Sequence, residues 1–156
     1  MADGSKTMIM KKIFNILMIA ALALCAVTGC KEKDGPQHKV VGEWFFSDEE
    51  SGQNIEIYLA FNQDFTFDLY QKVGEGYPRY LKGTYAVTGS IIRGYYHDGT
   101  PWGSDYDLSF LEDNMIMKST STDYSVTYKR QRIPDEVKNN YVDLTKSGTE
   151  DFIPFL

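Results

Sequence analysis

Few residues of this 156-residue chain could do catalytic chemistry, and their spacing suits it poorly. His38 and His97 are the two histidines, so there is no histidine cluster, Ser-His-Asp grouping or His-Glu-x-x-His pattern to support a triad or a zinc site. Asp98, Asp105 and Asp107 surround a glycine-containing stretch that could attract calcium. Their spacing is not that of an EF-hand loop, and hairpin turns recruit Asp anyway for side-chain-to-backbone hydrogen bonds. No reaction, metal or cofactor is expected. The one side chain with covalent chemistry in prospect is the thiol of Cys30.

Cys30 closes an ordered series. Lys11 and Lys12 precede an apolar run, 13–26, broken only by Asn15, and Thr28 and Gly29 then supply small side chains before the thiol. The run has about the length of a signal-peptide core and is short for a bilayer span. The rival Leu24-Cys25 puts a bulky residue where a peptidase needs a slim backbone. The series resembles the lipobox of bacterial lipoproteins. That resemblance implies removal of residues 1–29, with Met8 or Met10 as alternative starts, and attachment of a diacylglycerol to Cys30. The implied partner is a membrane, reached through that lipid, and the implied location is the cell envelope at the outer membrane. A transmembrane anchor with an incidental cysteine is the competing reading. Residue 31 is Lys, not the Asp that resembles an inner-membrane retention signal. The charged stretch after Cys30 is similar to the surface-export signal of Bacteroidetes-type lipoproteins.

No cysteine follows Cys30, so the remaining chain has no internal disulfide and no thiolate metal site. From Lys31 onward, 13 Lys and Arg stand against 21 Asp and Glu, a net charge of −8. That acidity argues against nucleic acid as a partner. Residues 30–39, charged and containing Gly35-Pro36, read as a flexible tether.

From 40 to 132 the sequence alternates with period two between turn residues, which predicts strands at 40–46, 54–61, 65–73, 80–87, 91–96, 105–111, 115–119 and 124–132. Ile55, Ile57, Leu59 and Phe61 share one face of the second segment, and Phe65, Phe67 and Leu69 share one face of the third. Each segment offers one dry and one wet face, as an antiparallel sheet over a single core requires. Connections of seven, six, eight and four residues alternate with connections of three. An eight-stranded up-and-down barrel explains that alternation, because its alternate loops lie at the same end. A two-sheet sandwich is the alternative.

Gly42-Glu43-Trp44 on the first strand and Arg130 near the end of the last resemble the lipocalin signature. The resemblance implies that Gly42, Trp44 and Arg130 close the barrel base, with the guanidinium across the indole. Of the chain's 22 aromatic residues, 18 fall between 40 and 132. Trp44, Phe46, Phe61, Phe65, Phe67, Tyr85, Tyr96, Tyr106, Phe110 and Tyr128 are in the inward phase. An eight-stranded barrel either fills itself with such rings or holds one small ligand. In the second case Phe46, Ile57, Leu69, Tyr96 and Tyr106 line the upper wall, and Trp102, between Pro101 and Gly103, joins Tyr77, Arg79 and His97 at the rim. The function expected is small apolar or amphipathic ligand binding by a monomer. The alternative is a protein-interaction or inhibitor module with a filled barrel. After the barrel (40–133), residues 134–156 are read as a short helix to about Tyr141 and an apolar tail that docks, meets a partner or stays loose.

Overall fold

The computed structural model describes residues 35–49, 52, 54–146 and 152–156. The expected leader, Cys30 and the first part of the expected tether lie outside them. No helix among the described residues is long and apolar enough to cross a membrane.

Eight strands follow one another: β1 (Gly42–Asp48), β2 (Ile55–Phe61), β3 (Thr66–Val73), β4 (Arg79–Thr88), β5 (Ile91–Tyr96), β6 (Tyr106–Leu111), β7 (Asn114–Ser119) and β8 (Ser125–Arg130). Each pairs antiparallel with the next, and β1 pairs with β8 at Trp44↔Arg130 and Phe45↔Lys129. The sheet is therefore a closed eight-stranded antiparallel up-and-down barrel. Tight connections at 62–65, 89–90 and 112–113 share one end, the base. The longer ones at 74–78, 97–105 and 120–124 share the other, the mouth. Residues 35–156 form one compact unit.

Interior positions follow the expected alternation in most strands, giving a core of Trp44, Ile57, Leu59, Phe61, Phe67, Leu69, Tyr85, Ile92, Met115, Met117 and Tyr128. Phe65 departs from it. It sits in the β2–β3 turn with φ of 63° and is 45% exposed, its ring leaning on Tyr85. The turn needs a left-handed residue there, so β3 starts at Thr66.

The short helix expected after residue 134 is present, and three further features were not foreseen. Pro36–Lys39 forms a helical turn, α1, so the tether does not extend to residue 39. It delivers Val40, fully buried, whose carbonyl accepts a 2.7 Å hydrogen bond from Trp44 Nε1. Tyr58, Ala60 and Tyr70, on the outer face of β2 and β3, are buried rather than wet. Ile133 covers them, and α2 (Asp135–Asn139) follows, held by Glu43. That carboxylate accepts from the Ile133 N–H at 2.8 Å and pairs with Lys138 Nζ at 2.6 Å. Beyond α2, β9 (Val142–Asp143) pairs parallel with Arg79 and Tyr80, where β4 runs on past its register with β5.

Candidate functional site

At the base, the Arg130 guanidinium lies 4.3 Å from the Trp44 ring centroid. Its Nη2 donates to Lys39 O at 2.9 Å and its Nη1 to Val41 O at 3.3 Å. Gly42 has φ of 140°, and a Cβ there would run into Arg130 Nη1. The three residues singled out from the sequence thus make one contact set that seals the base.

The mouth is built differently from the expectation. Trp102 does not stand on the rim. Its loop turns inward, and the indole is 5% exposed, packed against Phe61, Phe67 and Tyr106. The space comes from Gly94, where any Cβ would collide with the indole. Ile57 and Leu69 are fully buried and Tyr106 nearly so, which makes them core rather than accessible wall. Burial raises the Tyr106 and Tyr128 hydroxyls above the usual tyrosine range. Among the described residues, Trp102 Nε1 and Tyr128 Oη are enclosed with no hydrogen-bond partner.

Above this packed layer sits an opening of about 440 Å³. Leu81, Tyr96, Leu144, Phe152 and Pro154 give it apolar walls; His97, Asp98, Thr100, Thr145 and Lys146 give it a polar edge. Leu81 and Tyr96 come from the inward phase of β4 and β5. Leu144 arrives because β9 docks on β4, its N–H donating to Tyr80 O. Asp98 accepts from the Thr100 N–H at 2.9 Å, which folds the loop and holds the carboxyl below its ordinary range. Asp105 pairs with Arg93 at 3.0 Å. Among the described residues, no group of three or more His, Cys, Asp or Glu side chains is placed to hold a metal.

The segment 152–156 crosses the mouth beside this opening. Leu156 is buried, and its main-chain oxygen accepts a 2.7 Å hydrogen bond from Tyr96 Oη. Phe155 packs between Phe46, at 5.7 Å, and Tyr124, at 6.2 Å. Arg79 lies 5.4 Å over the Phe152 ring. Gln71, buried on β3, donates from Nε2 to Ile153 O and accepts from the Phe155 N–H.

Of the residues named in advance for a ligand, Tyr96 therefore lines the opening and Phe46 meets the docked segment. Leu81, Gln71, Leu144 and Phe152 were missed. Gln71 carried a signal, being a polar residue in the inward phase behind Phe67 and Leu69.

No family model matches this chain, and no curated protein does. A solved structure, described as the NMR structure of a protein from Bacteroides uniformis ATCC 8492, is similar with a TM-score of 0.48 and 17% identity, over 66% of this chain and all of that one. The class that the fold defines is a closed eight-stranded antiparallel barrel, followed by a short helix and an added strand.

Proposed function

We propose that this chain is a lipid-anchored envelope lipoprotein whose lipocalin-like barrel binds a small amphipathic ligand at its open end. The observation carrying the binding reading is the 440 Å³ opening at the mouth. Its volume falls within the range of small-ligand sites, and it combines apolar walls with a few polar groups that can fix orientation. The sequence pattern of residues 11–29 before Cys30 supports the anchor, and the Gly42–Trp44–Arg130 contacts at the base support the lipocalin likeness. A deep, fully enclosed site is not part of the proposal, because Trp102 and its neighbours fill the lower barrel.

That filling favours the second reading, an interaction or inhibitor module without a small ligand. The two readings separate in one titration. A dansylated fatty acid added to the domain beginning at residue 35 should bind saturably, and Thr100→Trp, which puts an indole at the edge of the opening, should abolish it. No saturable binding by a panel of fatty-acid and aromatic probes would leave the interaction module as the better account.

A further inference from the structure

The contacts around residues 152–156 have a chemistry that an acyl chain would not need. The Gln71 side-chain amide donates to the carbonyl of residue 153 and accepts from the N–H of residue 155. A residue of a neighbouring parallel β-strand would use its main-chain N–H and C=O in the same way, taking one carbonyl and the N–H two residues on. Tyr96 Oη then donates to the main-chain oxygen of residue 156. Three main-chain groups of residues 153–156 are thus read without reference to their side chains. Specificity falls to the surroundings: Phe46 and Tyr124 receive the aromatic ring at 155, and the core receives the aliphatic side chain at 156.

We infer that the mouth is a recognition site for an extended apolar peptide segment of another protein, and that residues 152–156 hold it in cis. Gln71 is the main observation. With residues 152–156 in place Gln71 is 6% exposed, and an amide so covered is costly unless its donor and acceptor are both matched, as a peptide backbone matches them. A hydrocarbon would leave both unmet. The partner this fits has an aromatic residue followed by an aliphatic one, as in Phe155-Leu156, presented in extended form. Recognition is through main-chain hydrogen bonds for affinity and flanking pockets for selection. The inference rests on the proposed function in placing the binding site at the mouth, and it names the ligand class.

The cis segment competes at high effective concentration, so an added peptide should bind the intact domain at least about tenfold more weakly than a domain ending at Lys146. The test uses a fluorescein-labelled Phe-Ile-Pro-Phe-Leu peptide with blocked ends. Anisotropy is read against the intact domain, the shortened domain, and Phe155→Ser in the intact domain in case shortening harms folding. Gln71→Ala in the shortened domain should weaken the peptide by about fivefold or more, the loss of a buried hydrogen-bonding pair. Saturable peptide binding with that Gln71 dependence supports the inference. If the fatty acid binds the intact domain but the peptide binds neither loosened variant, the peptide class is wrong and the mouth site stands. If neither ligand binds any form, both ideas fall.

Discussion

The guanidinium of Arg130 lies 4.3 Å from the centre of the Trp44 ring, across the seam where the last strand meets the first. Closure of the barrel and sealing of its base are thereby one event, since the same side chain also binds the carbonyls of Lys39 and Val41. Arg130→Lys keeps the charge but loses the planar face and the paired donors. It should lower stability by about 1–2 kcal/mol, read as a shift in urea midpoint. Gly42→Ala should cost at least as much, because it strains the backbone and displaces the guanidinium. Unchanged midpoints for both would show that the seam is held elsewhere.

Gly94 and Trp102 fit as floor and plug. Gly94→Val should expel the indole, shift Trp102 emission to the red and cost about 2–3 kcal/mol through overpacking. A blue, unshifted spectrum with native stability would contradict the packing described.

Glu43 fastens the C-terminal segment to the outer wall. Glu43→Ala leaves the Ile133 N–H and Lys138 without their partner, and should cost about 1–2 kcal/mol. Hydrogen exchange should quicken at the Ile133 amide while β6 and β7 keep their protection. Uniform loss of protection would mean that the segment is part of the folding core.

Stability should fall on the alkaline side. Burial, aided by Asp68, pushes the Tyr70 hydroxyl up to about 12, and burial, aided by Asp64, pushes Tyr85 up to about 12. An unfolded tyrosine ionises near pH 10. Between these values the unfolded chain holds fewer protons than the folded one, so stability declines as pH rises. Below pH 10 the contribution is complete. Urea midpoints should be flat from pH 8 to about 9.5 and drop steadily toward 12. A flat profile to pH 12 would contradict the burial of these hydroxyls.

The strands were legible because their signal is local. Alternation and turn residues placed β5 to the residue and the other seven strands within about two, and the alternating loop lengths marked the two ends of a barrel. Phe65 was misread because its apolar side chain fits the pattern while its turn demands a left-handed backbone. Trp102 was misread for a different reason: a tryptophan in a loop has no phase, and the space that receives it is opened by Gly94 on another strand. Phe45, Tyr58, Tyr70 and Tyr80 lie in the outward phase, and four aromatics there already implied a covering element. What covers them is read only from three dimensions, through Glu43. The mouth was least legible, since its walls combine β4 and β5 with Leu144 and a tail far along the chain.

The central claim, that the open end of the barrel is the binding site, is tested most directly by an amide chemical-shift map of the intact domain titrated with the dansylated fatty acid. The shifts should concentrate at Leu81, Tyr96, His97, Leu144 and Phe152, leaving Trp44 and Arg130 at the base unmoved. Shifts confined to the base or to the α2 face, or none at saturating probe, would contradict it.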